Sequence, residues 1–172
     1  AIREEGAYSL IAGYLHDSRN KPIATIVEEL SVEWTRLFRG ISSSYGPQPP
    51  YAGVYCGGDG VGMNIIMEIT QMYSAHGLGI QEYKPNRMDY LGIQLDFISI
   101  LAKRAAKEAE TGNFAAEEAV RVDILNFLQK YILPWTDTFI NKARGYAKTD
   151  FLRGYLVMLL QSLHELKLLI EN

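Results

Sequence analysis

Apolar residues recur at helical spacing along most of the chain. After Pro22, which suits the first turn of a helix, the apolar positions follow one another every three or four residues and stop near Gly40. The same spacing starts again at Met63 and stops before Gly77, so the first half of the chain predicts two helices. The apolar positions of the earlier helix are Ile26, Leu30, Trp34, Leu37 and Phe38.

The second half of the chain carries a stronger helical pattern. We predict a helix from Met88, a further helix after a polar break at 111–114, one opened by Pro134, and a last helix from about Thr149. Strand-type alternation of apolar and polar residues is not part of the pattern. The sequence therefore predicts an all-α helical bundle that forms a single domain over residues 1–172. The positions expected to be buried include Leu91, Leu95, Ile98, Leu156 and Leu159.

The segment 41–60 has a different character from the rest of the chain. It contains three prolines, consecutive serines and a glycine-rich stretch, and it shows no helical period. We predict a long loop here, and loops of this length inside compact domains are often functional.

Composition and charge exclude several classes of protein. Apolar residues make up 48% of the 172 residues and the net charge is −3, without the run of basic residues that nucleic-acid binding needs. A lone cysteine, Cys56, excludes an internal disulfide and a cysteine cluster for zinc or iron–sulfur, which favours a reducing compartment. The first residues lack the pattern of a signal peptide, and no apolar run reaches the roughly 18 residues of a membrane span. We therefore expect a cytoplasmic protein that does not insert stably into membranes.

A search for catalytic or metal-binding chemistry finds little. The three histidines, His16, His76 and His164, do not have the spacing of metal ligands, and no nucleophile lies beside a base in the sequence. The glycine-rich segment 57–62 could cradle a phosphate, but it lacks the Lys-Ser/Thr of a phosphate loop, which favours a flexible turn. We expect no metal, no cofactor and no catalytic residue; a small nucleotide-binding enzyme that uses this glycine-rich loop is the alternative.

Four segments resemble one known family. Residues 34–38, Trp-Thr-Arg-Leu-Phe, match the aromatic-x-x-Leu-Phe signature of the TorD/DmsD family, the cytoplasmic chaperones that mature molybdenum-containing reductases. Residues 49–55, Pro-Pro-Tyr-Ala-Gly-Val-Tyr, resemble the family segment that follows, with Gly53 in place of serine. Residues 88–97 are similar to the acidic-aromatic helix start of the family, and Leu-Pro-Trp at 133–135 resembles the opening of a later helix. The segments occur in family order and cover most of the chain.

One motif departs from the family pattern. In the family, the motif Glu-Pro-x-Asp-His is associated with leader binding. In this chain residues 86–90 are Asn-Arg-Met-Asp-Tyr, so only Asp89 is kept. Tyr90 can donate a hydrogen bond and stack, but it does not become cationic near neutral pH. The resemblance therefore does not carry over the role of a charged histidine at this position, including guanine-nucleotide contacts.

The resemblance implies a binding protein rather than an enzyme. Its partner would be the precursor of a molybdopterin-containing oxidoreductase subunit, recognised through a twin-arginine leader and held until cofactor insertion and export. A permanent structural assembly subunit is a further alternative, and either a monomer or a domain-swapped dimer would fit. A peptide that is basic and apolar needs aromatic and acidic contacts, and the residues predicted to supply them are Trp34, Phe38, Tyr51, Tyr55, Asp89 and Tyr90.

Several of these residues have a structural alternative. Trp34 and Phe38 lie on a helical stripe, so packing in the core fits them as well as contact with a ligand. Asp89 could be the N-cap of the helix that follows it. Tyr51, Tyr55 and Tyr90 flank loops, where an aromatic ring with a polar tip is well placed for a partner.

Overall fold

The computed structural model describes residues 4–40, 45–57, 62–79 and 87–171, and within these ranges the chain is almost wholly helical. In the described ranges the extended backbone pairs only at one isolated antiparallel bridge, between Tyr51 and Tyr90. The prediction of an all-α fold is confirmed. The helices are α1 (Glu4–Asp17), α2 (Ile23–Phe38), α3 (Ala52–Cys56), α4 (Met63–Ala75), α5 (Leu91–Glu110), α6 (Phe114–Phe127), α7 (Leu133–Tyr146) and α8 (Asp150–Glu171).

The chain divides into two compact units. Unit 1 comprises Ala1–Pro50 and Thr136–Glu165, and unit 2 comprises Tyr51–Trp135 and Leu166–Asn172. A single domain over the whole chain stays a prediction.

Unit 1 contains α1, α2 and most of α7 and α8. As predicted, α2 follows Pro22 and ends before Gly40, whose φ of 64° is the left-handed conformation that glycine supplies at helix ends. At Gly154 of α8, an added Cβ would lie 2.6 Å from the backbone oxygen of Ala7 in α1. Gly154 therefore allows the backbones of α1 and α8 to approach closely.

The sequence did not predict α1. Its apolar residues Ala7, Leu10, Ile11 and Tyr14 do follow helical spacing, but the stripe is short. Two glycines within the helix weaken the local preference further, since glycine costs about 1 kcal/mol relative to alanine in a helix interior. Packing, rather than propensity, accounts for this helix.

An aromatic cluster occupies the interior of unit 2. The ring of Phe97 in α5 lies 4.7 Å from the rings of both Tyr73 and Phe127, and Tyr131 lies 5.2 Å from Phe127. These contacts join α4, α5 and the end of α6. They explain why α5, with apolar residues on two flanks, is central to this unit.

The predicted buried positions are partly correct. Leu91, Ile98 and Leu156 are buried, whereas Leu95 and Leu159 are partly exposed. On α5 the buried face recurs every three or four residues and places a polar residue where we expected Leu95. The buried face of α5 consists of Leu91, Gln94, Phe97, Ile98, Leu101 and Ala105.

The prediction of an uninterrupted loop at 41–60 is wrong in one part, because α3 forms within it. A helix of five residues is too short for an apolar period to appear in the sequence. The backbone N–H of Gly53 donates to the Asp89 carboxylate at 2.8 Å, which satisfies one of the free amides at the start of α3. Residues 41–44 and 58–61 lie outside the described residues.

Pro134 lies inside a continuous helical stretch. Between α6 and α7 the chain forms a π-helical turn, Leu128–Ile132, so the predicted new helix follows without a loop. Proline has no backbone N–H and clashes with the carbonyl one turn earlier, and a widened turn accommodates both defects. Pro134 is thus the second residue of α7.

Candidate peptide-binding surfaces

Trp34 lines a groove in unit 1 between α2 and α8. Its side chain is 39% exposed, stacks on Phe38 with the ring centres 4.0 Å apart, and meets the edge of Tyr155 at 6.1 Å. The groove has a volume of about 410 Å³. Besides Trp34 it is lined by Leu30, Ser31, Thr35, Phe151, Leu152 and Tyr155. It offers an apolar, aromatic surface to a ligand.

Phe38 supports this groove from the interior. It is 4% exposed, and its ring also meets the edge of Phe139 at 5.6 Å. Of the two unit 1 residues in the predicted site, Trp34 is thus available to a partner, whereas Phe38 packs in the core and fixes the plane of the Trp34 ring.

The other side of α2 is acidic. A second groove of about 440 Å³ is lined by residues that include Glu28, Glu29 and Lys148. Glu29 accepts a hydrogen bond from the Tyr14 hydroxyl at 3.0 Å and lies 3.4 Å from the ammonium group of Lys21. Glu28 is exposed and has no ion-pair partner among the described residues. Glu28 therefore presents an uncompensated negative charge to solvent.

In unit 2 the structure brings Tyr51, Asp89 and Tyr90 together. Tyr51 and Tyr90 form the isolated bridge, and their ring centres are 5.4 Å apart. The backbone oxygen of Asp89 accepts hydrogen bonds from the N–H of Ala52 at 3.0 Å and from the Gln94 side-chain amide at 2.7 Å. These bonds hold the segment before α5 against the start of α3.

The carboxylate of Asp89 is buried and bonded. Its side chain is 0% exposed, and both oxygens accept hydrogen bonds from Arg87: Nε to Oδ1 at 3.0 Å and Nη2 to Oδ2 at 2.8 Å. The Arg87 guanidinium also lies 5.2 Å from the centre of the Tyr51 ring. The carboxylate accepts the N–H of Gly53 in α3, so it caps the start of α3.

Tyr55 has an environment different from that of the other tyrosines in the predicted site. Its ring stacks on Trp135 at 5.2 Å and 21°, and burial raises the pKa of Tyr55 to about 12. The phenol therefore stays neutral over the whole physiological range. The adjacent Cys56 is exposed, and partial burial of its thiol raises the pKa of that thiol, which disfavours the reactive thiolate.

The glycine-rich segment has a packing role at its described ends. Gly57 donates its N–H to the oxygen of Gly53 at 3.1 Å, and an added Cβ on Gly62 would collide with the backbone of Gly53. Gly62 also has a φ of 64°, which favours glycine. Residues 58–61 of the proposed nucleotide loop lie outside the described residues.

Among the described residues, no three His, Cys, Asp or Glu side chains are grouped so that they could hold a metal ion. None of the helices in the described part of the chain has both the length and the apolar character that crossing a membrane requires.

Three residues of these surfaces were missed by the sequence reasoning. Phe151 and Tyr155 lie one turn apart at the start of α8, and this aromatic pair was a usable signal beside the leucine stripe. Arg87 was noted as part of a motif but was not given a role. Its position two residues before an aspartate does not by itself indicate a bidentate pair.

Comparisons with known proteins agree with the sequence resemblance. Chaperone protein TorD of Vibrio cholerae serotype O1, from strain M66-2 and from the El Tor Inaba strain N16961, is 25% identical to this chain over 118 residues. The alignment covers 69% of this chain and 51% of TorD, so this chain spans about half the length of the curated relatives it matches. The family model described as nitrate reductase delta subunit matches residues 6–141. The chain therefore belongs to the nitrate reductase delta subunit family, and its resemblance to the TorD chaperones is confirmed.

Proposed function

We propose that this chain is a chaperone for the precursor of a molybdenum-containing reductase subunit. It binds the twin-arginine leader and the apo-form of that subunit until the cofactor has been inserted and export can follow. The family match over residues 6–141 and the similarity to chaperone protein TorD support this proposal. The role is one of binding, and no catalytic step is assigned to the chain.

The observation that carries the proposal is the half-exposed Trp34 in an apolar groove. Aromatic side chains in partly desolvated pockets dominate the binding energy of many interfaces. Because Trp34 is stacked on the buried Phe38, little side-chain entropy is lost when a ligand covers it. The groove suits the apolar stretch that follows the arginine pair of a leader.

The apolar surface of α2 extends beyond this groove. Ile23 is 79% exposed and Val27 is 56% exposed, and together with Leu30 and Trp34 they are spaced at i, i+4, i+7 and i+11. At a rise of about 1.5 Å per residue, this strip is roughly 16 Å long. An apolar peptide segment of about three helical turns, or about five residues in extended form, would cover it.

Each unit offers negative charge to the arginine pair of a leader. In unit 1, Glu28 and Glu29 lie on the acidic side of α2, and in unit 2 the predicted contact is Asp89 beside Tyr51 and Tyr90. Exposed carboxylates such as Glu28 attract a basic peptide mainly in the encounter, whereas a buried carboxylate sets specificity. Asp89 is already bonded to Arg87, which constrains how a leader arginine could reach it.

The test is a calorimetric titration of a synthetic twin-arginine leader into the wild type and the Trp34→Ala variant. Loss of the aromatic anchor should weaken binding by about 2 kcal/mol, roughly thirtyfold, because Trp34 is the central apolar contact. Phe114→Ala is the matched control, since Phe114 is 68% exposed on α6 and outside the groove, and it should bind like the wild type. Equal losses in both variants would remove the groove from the site.

The two alternative functions predict different results with the same purified protein. A nucleotide-binding enzyme would show heat on titration with ATP or GTP, and a permanent assembly subunit would co-purify with its partner and not release it on dilution. If the wild type binds no leader from its own genome, the chaperone proposal is wrong.

A further inference from the structure

The Arg87 guanidinium makes, within its own chain, the same kinds of contact that proteins use to bind the guanidinium of a ligand. Its Nε and Nη2 donate to the two oxygens of Asp89 at 3.0 and 2.8 Å, and its guanidinium lies 5.2 Å from the centre of the Tyr51 ring. Two parallel bonds to a carboxylate and an aromatic face are the contacts that distinguish a planar guanidinium from an ammonium group. Tyr51 and Asp89 thus supply the aromatic face and the bidentate carboxylate of a guanidinium-binding site.

This site does not depend on Arg87 for its position. Besides Arg87, the Asp89 carboxylate accepts the N–H of Gly53 at 2.8 Å, and the Asp89 backbone oxygen accepts bonds from Ala52 and Gln94. Tyr51 is held by its bridge to Tyr90. The acceptor and the aromatic face therefore keep their places when the Arg87 side chain rotates away.

The two partners differ in exposure. The Asp89 side chain is 0% exposed, whereas 38% of the Arg87 side chain reaches solvent. The Arg153–Asp150 pair in unit 1 has similar bond lengths, but its carboxylate is 50% exposed. At Asp89, only a guanidinium that replaces Arg87 can make the same contacts.

We infer that Tyr51 and Asp89 form a guanidinium site that Arg87 occupies in the free protein, and that an arginine of a bound peptide enters by displacing Arg87. This inference rests on the proposed function for the origin of the peptide, but the site itself is a property of this chain. Arg87 then sets a threshold: a segment with one weakly held arginine does not displace it, whereas an arginine anchored by neighbouring contacts does.

The first experiment tests the site without any peptide. Melting temperatures of the wild type, Arg87→Ala and the control Arg153→Ala are measured with millimolar methylguanidinium or methylammonium chloride, against equal concentrations of sodium chloride. Methylguanidinium should raise the melting temperature of Arg87→Ala alone, because it refills the vacated contacts. Methylammonium should have no such effect. Equal responses to the two ions, or no response, would overturn the guanidinium site.

The second experiment tests the displacement. A leader peptide carrying Arg-Arg or Lys-Lys is titrated into the wild type and Arg87→Ala. The variant should bind the Arg-Arg peptide at least about tenfold more tightly, because apparent affinity falls by the fraction of molecules whose site is free. Its preference for Arg-Arg over Lys-Lys should also increase. Unchanged or weaker binding by the variant, with normal binding by the wild type, would overturn the displacement and leave the chaperone proposal intact.

A variant that keeps the charge covers the case in which Arg87→Ala does not fold. Arg87→Lys retains a cation beside Asp89 but loses the planar fork, so it should give an intermediate gain in affinity for Arg-Arg. A loss of affinity in Arg87→Lys would contradict the inference. If no form of the protein binds any leader while methylguanidinium still stabilises Arg87→Ala, the proposed function fails and the site stands.

Discussion

Among the described residues, two buried carboxylates bond the backbone at helix starts, one in each unit. Glu33 of α2, in unit 1, is 4% exposed and accepts hydrogen bonds from the backbone N–H groups of Lys148 and Thr149, just before α8. The Asp89 side chain, in unit 2, is 0% exposed, and its carboxylate accepts one backbone N–H, from Gly53 of α3. Its other bonds come from the side chain of Arg87.

The two carboxylates differ in whether their hydrogen-bond donors can be displaced. The amides that bond Glu33 belong to the backbone before α8, so they cannot move away unless this turn unfolds. Arg36 is secondary there: its Nη2 is 3.4 Å from Glu33 and donates to the Tyr146 oxygen at 2.9 Å. At Asp89 the main donor is a flexible side chain that another guanidinium can replace. Similar burial thus serves stability in unit 1 and, by our inference, recognition in unit 2.

Removing the Glu33 carboxylate should have the largest effect on stability. Glu33→Ala leaves one buried and one partly buried amide without an acceptor, and we expect a loss on the order of 3 kcal/mol in the free energy of unfolding. Urea denaturation followed by circular dichroism measures it. Glu28→Ala, an exposed acid on the same helix, is the control and should change stability by less than about 0.5 kcal/mol. A comparable, small loss in both variants would break the distinction between the two carboxylates.

The roles of these acids show what the sequence could and could not predict. Helical spacing predicted most helices, because burial of an apolar stripe repeats every three or four residues. Glu33, however, resembles Glu28 and Glu29 in sequence, and nothing in the local pattern separates the buried carboxylate from the exposed ones. The amides that Glu33 bonds lie more than a hundred residues along the chain, and no local pattern carries that information.

The predicted site shows the same limit. Trp34 was identified from its motif, but its groove partners Phe151 and Tyr155 come from a helix far along the chain. The sequence could not tell that Phe38 beneath Trp34 is buried, since both lie on one stripe. For Asp89 a capping role was an open alternative. The structure has it bonding the start of α3, a helix too short to be predicted.

Replacing Asp89 with asparagine should have an intermediate effect on stability and should separate it from peptide binding. The amide keeps one oxygen for Gly53, but it loses the charge that holds Arg87, so we expect a loss of about 1 to 2 kcal/mol in unfolding free energy. Binding of a twin-arginine leader should weaken by roughly 1 to 3 kcal/mol, because the guanidinium loses its charged acceptor. Calorimetry at two ionic strengths measures the second quantity. Wild-type affinity in Asp89→Asn would exclude Asp89 from the site, whatever its effect on folding.

The smallest effect is expected at the exposed counterpart of the Asp89 pair. Arg153 donates to Asp150 at 2.9 Å, close to the 2.8 Å of Arg87 and Asp89, but both side chains are about half exposed. Water therefore competes for both ions, and salt screens their attraction. Arg153→Ala should cost no more than about 1 kcal/mol, part of it from the Arg153 bond to the Ala147 oxygen, and raising sodium chloride should reduce the difference from the wild type.

For Arg87→Ala the stability difference should persist in salt, because the Asp89 carboxylate left behind is buried. Parallel urea titrations at low and high sodium chloride compare the two variants directly. If both differences decline equally with salt, burial of the carboxylate does not distinguish the two pairs, and the special status of the site at Asp89 is lost.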